Sequence, residues 1–189
     1  MGKIARMKIL VTAISILVIL VYLVYNSEWF QKKVLYPFPY QEMVYEYALE
    51  NDLNPFFVAG VIRTESKFVA TARSPKGAQG LMQMMPETAV WVAEQMEDRE
   101  FTLDKLKEPR VSIKMGTWYL ASLRKEFKGN EVLMLAAYNG GRGNVKQWMQ
   151  NYGWTMSFDN PEEIPFGETR EYVTRVLRSK QRYQELYGR

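Results

Sequence analysis

Apolar residues follow two different patterns along the chain of 189 residues. Residues 9–25 form an unbroken apolar stretch with no charge and no polar face, whereas from residue 40 onward apolar positions recur every three or four residues. The first pattern is typical of a membrane-spanning helix. The second is typical of helices that bury one face in a water-soluble domain. The chain is therefore predicted to have two parts with different surroundings.

The region after residue 40 is predicted to be helical almost throughout. Asn54 and Pro55 form a helix start, because Asn caps the first turn and Pro fits its first position, and Lys128-Gly129 forms a stop. The predicted helices cover residues 40–51, 55–66, 86–97, 109–127, 130–138, 144–151 and 168–187. No alternating pattern of useful length indicates a strand. The predicted fold class is therefore all-α, or mainly α with a minor hairpin.

The N-terminal stretch predicts a membrane anchor. Three basic residues precede it, namely Lys3, Arg6 and Lys8, and positive charge stays on the cytoplasmic side. The expected organisation is a basic tip over 1–8 in the cytoplasm, a single-pass signal-anchor helix over 9–25, a linker over 26–39 and a domain over 40–189 outside. The alternative is a cleaved signal peptide, but the residues that follow the apolar stretch lack the small-x-small cleavage site.

Composition narrows the chemistry that the domain can perform. The chain has no cysteine and no histidine, which excludes disulfides, thiol nucleophiles, Ser-His-Asp triads and His-ligated metals. Acid–base chemistry must come from Asp, Glu, Lys, Tyr or water. The net charge of +4 is too small and too spread out to indicate a nucleic-acid partner. We predict no metal and no cofactor.

One carboxylate stands out by its position in a predicted helix. Glu65 follows Val58, Val61 and Ile62 by seven, four and three residues, which places it on the apolar stripe of helix 55–66. A carboxyl that faces inward loses water, so its pKa rises, and a protonated carboxyl is the general acid that cleaves an acetal. The alternative is an ordinary surface glutamate that caps the helix or pairs with a neighbouring Arg or Lys. Glu65 alone does not decide between them.

Three sequence motifs resemble those of a known family, and they favour the catalytic interpretation of Glu65 over the surface one. The first is Glu65-Ser66, followed by Ser74-x-x-Gly77-Ala78-x-Gly80-Leu81-Met82-Gln83 and by Met85-Pro86-x-Thr88-Ala89. The second is Ala136-Ala137-Tyr138-Asn139-Gly140-Gly141, and the third is Ile164-Pro165-Phe166-Gly167-Glu168-Thr169-Arg170 with Tyr172-Val173. In this order and spacing they resemble the soluble lytic murein transglycosylases of the bacterial cell wall. The resemblance covers roughly residues 40–187.

The resemblance implies a lysozyme-like catalytic domain and assigns its site. Glu65 is the implied catalytic residue, and the implied substrate-binding residues are Ser74, Gly80, Met82, Gln83, Met85, Tyr138, Asn139 and Glu168. Taken singly, each has an ordinary explanation as a turn, core or helix-start residue. Of Met82 and Met85, at least one is expected to line a sugar cleft. The phenol of Tyr138 is expected to reach the catalytic carboxyl.

The implied activity is cleavage of the β-1,4 bond between N-acetylmuramic acid and N-acetylglucosamine in peptidoglycan without water. The implied partners are glycan strands and, through residues 9–25, the bacterial cytoplasmic membrane. Protein partners remain unknown. A lysozyme-type hydrolase is one alternative, but it needs a second acid, and none of Asp52, Asp98, Asp104 and Asp159 lies in a suitable motif. A peptidoglycan-binding accessory protein without activity is the other.

Overall fold

The computed structural model describes residues 2–188 and is helical along most of that length. Its α-helices are α1 (Lys3–Asn26), α2 (Glu28–Phe30), α3 (Gln41–Glu50), α4 (Pro55–Ser66), α5 (Pro86–Gln95), α6 (Pro109–Glu126), α7 (Glu131–Gly140), α8 (Arg142–Tyr152) and α9 (Gly167–Tyr187). A π-helix covers Gln31–Leu35, and 3₁₀-helices cover Leu103–Lys107 and Pro161–Glu163. Within residues 2–188 there is no strand, only isolated bridges near residue 79. The predicted all-α class is confirmed.

Helix α4 lies at the centre of the domain and packs lengthwise on α9. It begins at Asn54, whose side-chain oxygen accepts the backbone N–H groups of Phe56 and Phe57 at 2.8 and 3.2 Å, so the predicted cap is confirmed. Gly60 permits the close approach of the two helices, because a Cβ at this position would lie 2.9 Å from the carbonyl oxygen of Val176. This contact brings the end of α4 against the start of α9.

The apolar side chains form two adjoining clusters. The larger joins α3, α4, α6, α7 and α9, with Phe57, Leu120 and Leu133 among its fully buried members. The smaller lies between α5, α6 and the 3₁₀-helix Leu103–Lys107. The loop between α4 and α5 runs over the junction of the two clusters, so its shape is fixed by packing on both sides.

Helix α1 stands apart from this core. All its side chains are exposed, and it contains an 18-residue stretch with a mean hydropathy of 2.6. It is the one helix within residues 2–188 that is long and apolar enough to cross a membrane. Ser27 has extended backbone angles and breaks the helix, after which α2 begins. The side-chain amide of Gln31 donates to the carbonyl of Tyr25 at 2.6 Å across this break.

The segment after α1 differs from the linker that the sequence predicts over residues 26–39. It is mostly helical, and it packs on the C-terminal part of α9. The hydroxyl of Tyr187 donates to the carbonyl of Tyr36 at 2.8 Å, and the hydroxyl of Tyr183 donates to the carbonyl of Pro37 at 2.8 Å. These tyrosines lie about 150 residues away in sequence, so no local pattern could indicate the contact.

Candidate active site

A cavity of about 360 Å³ opens where the end of α4 meets the loop before α5, the end of α7 and the start of α9. Its lining residues are Glu65, Ser74, Pro75, Lys76, Ala78, Gln83, Met85, Tyr138, Asn139 and Glu168. Of the predicted site residues, all but Gly80 and Met82 are therefore brought to one cavity from four separate segments. Pro75, Lys76 and Ala78 were not predicted, and they follow from the course of the loop.

Glu65 is the strongly perturbed carboxyl of this cavity. Burial raises its pKa from 4.5 to about 7, while the neighbouring Tyr172 and the positive charge of Arg175 oppose the rise. Glu65 makes no ion pair with any described residue, and Arg63 instead lies over the ring of Tyr36 at 4.1 Å. The alternative of a surface glutamate paired with a neighbouring cation does not hold. The inward position predicted from the helical stripe is observed.

Tyr172 contacts this carboxyl from α9 and is absent from the predicted site. Its ring is buried, and its hydroxyl makes no hydrogen bond of regular geometry to any described residue. The hydroxyl faces Glu65 closely enough to lower the pKa of that carboxyl. Burial and the charge of Glu65 together raise the pKa of Tyr172 itself, so the phenol stays protonated. The sequence feature that could have identified Tyr172 as a site residue was its position within the third motif.

The loop before α5 is held by its own backbone and by packing. The hydroxyl of Ser74 accepts the backbone N–H of Ala78 at 3.0 Å, which closes a short turn. Gly80 is buried at a positive φ of 80°, and a Cβ there would collide with the carbonyl oxygen of Leu106. The sequence assigns Gly80 to substrate binding, but the structure places it behind the cavity lining. Its contribution is to let the loop lie against the 3₁₀-helix.

The two methionines of the motif have different surroundings. Met82 is fully buried, and its sulfur packs where a Cβ of Gly116 would stand. The expectation that Met82 contacts substrate is therefore wrong for its side chain, because the core of α6 covers it. Met85 is 37% exposed and lines the cavity. Of the two methionines, Met85 lines the cavity, so contact with a sugar stays a prediction for Met85.

Tyr138 lines the cavity, but its hydroxyl has another partner than the one expected. It donates to the carbonyl oxygen of Met82 at 2.7 Å, so it fixes the loop to α7 and does not bond to the Glu65 carboxyl. The charge of Glu65 still raises the pKa of Tyr138, second to the effect of burial. Tyr138 therefore supplies a wall of the cavity beside Glu65.

Two amide side chains present polar groups to the cavity. The Nε2 of Gln83 donates to the carbonyls of Ala72 and Gly80 at 3.0 and 2.9 Å, while its oxygen has no partner among the described residues. The oxygen of Asn139 accepts the hydroxyl of Thr169 at 2.8 Å, which leaves its amide hydrogens unused. One free acceptor and one free donor are suited to sugar hydroxyls and N-acetyl groups.

Glu168 is the second carboxylate of the cavity lining. Its side chain is 74% exposed and lies 3.8 Å from the ammonium group of Lys76, which is 79% exposed. The pair bridges the cavity from α9 to the loop. Because both groups remain in water, their attraction is weak. Glu168 is thus a water-exposed carboxylate at the rim of the cavity, whereas Glu65 is a largely buried carboxyl in its wall.

Comparison with known proteins identifies the family to which the chain is similar. The transglycosylase SLT domain matches residues 42–159. The chain is 33% identical over 162 residues to the soluble lytic murein transglycosylase of Salmonella typhimurium, which covers 85% of this chain and 25% of the relative. It is 28% identical over 169 residues to the membrane-bound lytic murein transglycosylase C of Haemophilus ducreyi, which covers 76% of this chain and 44% of that protein.

Solved structures agree with these sequence matches. An inactive mutant of lytic transglycosylase Slt from Pseudomonas aeruginosa superposes with a TM-score of 0.73 and 33% identity, over 82% of this chain and 25% of that one. The 70 kDa soluble lytic transglycosylase of Escherichia coli superposes with a TM-score of 0.75 and 31% identity, over 81% and 25%. The chain thus spans about a quarter of the length of these soluble relatives.

Proposed function

Because this chain belongs to the transglycosylase SLT domain family, we propose that it is a lytic transglycosylase that cleaves peptidoglycan glycan strands. The observation that carries the proposal is Glu65, a carboxyl whose pKa is raised to about 7 by burial at the wall of a polar cavity. A carboxyl with this pKa is partly protonated at neutral pH, so it can give a proton and then take one back.

The proposed reaction uses that one group twice. Protonated Glu65 donates to the oxygen that bridges N-acetylmuramic acid and N-acetylglucosamine, the bond from C1 to that oxygen breaks, and the glucosamine leaves with a hydroxyl. The Glu65 carboxylate then takes the proton from the C6 hydroxyl of the muramic acid, and that oxygen attacks C1. The product is a 1,6-anhydro sugar. No water is consumed, and Glu65 ends protonated as it began.

The other cavity residues support recognition of the sugars. In this proposal the free oxygen of Gln83 and the amide hydrogens of Asn139 bind the polar groups of an N-acetylated sugar, because neither is used within the protein. Met85 and the ring of Tyr138 offer apolar surface to the sugar faces. We assign no cofactor and no metal to this reaction.

The alternative function is that of a hydrolase with the same fold. It requires a second carboxylate to activate water or to act as a nucleophile. None of Asp52, Asp98, Asp104 and Asp159 lines the cavity, and Asp52 instead pairs with Arg124 at 2.6 Å. Glu168 is the remaining choice, but it is hydrated and lies beside Lys76. The single desolvated carboxyl favours the lytic reaction.

The proposed location is the cytoplasmic membrane, with the cavity on the cell-wall side. Support comes from the exposed apolar α1, from the basic residues that precede it and from the similarity to a membrane-bound relative. The absence of cysteine allows a clean topology test. A membrane-impermeant maleimide should label Lys125→Cys in intact cells but should not label Gly2→Cys. The reverse pattern would overturn the orientation.

The activity is tested by mass spectrometry of the sugars released from purified peptidoglycan by the full-length chain in detergent. We expect muropeptides that end in anhydromuramic acid, each one water lighter than the reducing sugar. Reducing-end products would establish a hydrolase instead. A folded protein that binds the wall and releases nothing would establish a binding role.

A further inference from the structure

A second cavity, of about 440 Å³, lies on the outer side of the contact between α4 and α9. We call it the basic groove, and its lining residues are Tyr36, Arg63, Thr64, Lys67, Arg175, Arg178 and Ser179. Four of these side chains are cationic and none is acidic. The groove shares no lining residue with the cavity of Glu65. It is therefore a separate surface with one sign of charge.

Little of this positive charge is neutralised within the described part of the chain. Arg175 pairs with Glu171 at 3.3 Å on the exposed surface, and Arg63 lies over the Tyr36 ring. Lys67 and Arg178 are exposed and make no ion pair with any residue between 2 and 188. Like charges held along one groove repel each other, and an anion bound between them removes that repulsion.

The position of the groove indicates where such an anion would come from. Tyr36 forms its edge, ten residues beyond Asn26 at the end of α1. Most of the intervening residues are helical and rise about 1.5 Å each, while Ser27 is extended, so the edge lies roughly 20 Å along the chain from the end of α1. The bilayer extends several Å past its hydrocarbon core as headgroups. Lys33, in the intervening π-helix, adds positive charge between the groove and α1, whereas Lys32 pairs with Glu28 at 3.4 Å.

We propose that the basic groove binds the phosphate of an anionic membrane lipid headgroup. The proposal rests on the membrane anchor of the proposed function and adds a lipid contact made by the domain itself. Arginine binds phosphate through paired N–H donors and lysine through a point charge, and the groove holds both kinds. Tyr36 is amphipathic, as side chains at the membrane surface commonly are. Inorganic phosphate has the same chemistry, so the test separates the two sources.

The test uses the full-length chain in neutral detergent and native mass spectrometry. Phosphatidylglycerol and phosphatidylcholine with identical acyl chains are titrated separately, and inorganic phosphate is titrated without lipid. The variant is Lys67→Gln with Arg178→Gln, which breaks no ion pair between described residues. The matched control is Arg99→Gln with Lys125→Gln, two exposed cations outside the groove that carry the same loss of charge.

We expect the wild-type chain to bind phosphatidylglycerol more tightly than phosphatidylcholine. The groove variant should lose about 30-fold in affinity for phosphatidylglycerol, which corresponds to two cations near an anionic headgroup, and the control should keep its affinity. Equal losses in both variants, or no preference for the anionic lipid, would overturn the proposal. So would binding of inorganic phosphate as tight as that of the lipid.

A separate measurement, flotation with lipid vesicles, tests whether α1 acts as a membrane anchor. The full-length chain should float with vesicles of pure phosphatidylcholine, because α1 inserts without regard to headgroup charge. A chain that does not float lacks the anchor, and the basis of the lipid proposal is removed with it. A chain that floats but shows no preference for phosphatidylglycerol keeps the anchor and loses the lipid site.

Discussion

The hydroxyl of Tyr172 faces the carboxyl of Glu65 from the opposing helix and is buried without a regular hydrogen bond of its own. Burial and the Tyr172 hydroxyl shift the pKa of Glu65 in opposite directions. Burial favours the neutral form of the carboxyl, whereas a phenol that donates to it favours the charged form. The pKa of Glu65, at about 7, reflects the balance in which burial is the larger effect.

Activity should depend on the protonation of Glu65. The group acts first as an acid, so kcat/KM should fall as the pH rises through about 7, the pKa of Glu65. Glu65→Gln should reduce activity by roughly 10³-fold, within the range typical of a lost general acid. Release of anhydro-muropeptides, followed from pH 5 to pH 9, measures both effects. Substantial activity in Glu65→Gln would remove Glu65 from the mechanism.

The same group should make stability depend on pH. The pKa of Glu65 is 4.5 in the unfolded chain and about 7 in the folded one, so its contribution to stability is fully present below pH 4.5 and is lost as the pH rises to 7. The loss is on the order of 3 kcal/mol at most. In Glu65→Gln this pH dependence should disappear, and the variant should be more stable than wild type at pH 8. Urea unfolding of both proteins at pH 5 and pH 8 tests this sign. A variant less stable than wild type at pH 8 would contradict it.

Tyr172→Phe should raise the pKa of Glu65, because the hydroxyl that favours the charged form is removed. The basic limb of the pH–activity profile should move to higher pH, while stability changes by no more than about 1 kcal/mol, since that hydroxyl has no regular hydrogen bond to lose. Tyr152→Phe, at an exposed tyrosine, is the control and should leave the profile unchanged. An unchanged profile would show that Tyr172 donates nothing to Glu65, and a shift to lower pH would contradict the assigned direction of its effect.

Met82 and Met85 form a matched pair that separates packing from substrate contact. Met82→Ala should cost about 2–5 kcal/mol of stability, the usual range for a large side chain lost from a core, because Met82 is fully buried. Met85→Ala should cost less than about 1 kcal/mol, since its side chain is partly exposed, and it should raise KM for glycan strands. Thermal unfolding and initial rates distinguish the two. An unchanged KM in Met85→Ala would remove Met85 from the binding surface.

Much of this fold is encoded in local sequence patterns. The start of α4 follows from Asn54 and Pro55, and α6 follows from its regular apolar spacing, so both helices agree with prediction to within about two residues. The inward position of Glu65 has the same origin, because helical geometry fixes which residues share a face. These features depend on neighbours within one or two turns, and a single sequence contains that information.

Other features depend on contacts between distant residues. The hydroxyl of Tyr138 bonds to the carbonyl of Met82, 56 residues away in sequence, and Gly116 makes the space that Met82 fills. Nothing near Met82 distinguishes it from Met85, so the resemblance named both as binding residues. The helical segment after α1 was missed for the same reason, since the tyrosines that hold it come from the other end of the chain.

That helical segment has a mechanical consequence. A flexible tether would let the cavity move through a range of heights above the proposed membrane. Here Tyr183 and Tyr187 hold Pro37 and Tyr36 against the domain, and the side chain of Gln31 bonds to the end of α1. With the anchor and the activity proposed above, the cavity would stay at one height above the lipid, and the protein would sample the wall by moving laterally in the bilayer. Glycan strands at other depths would then lie outside its reach.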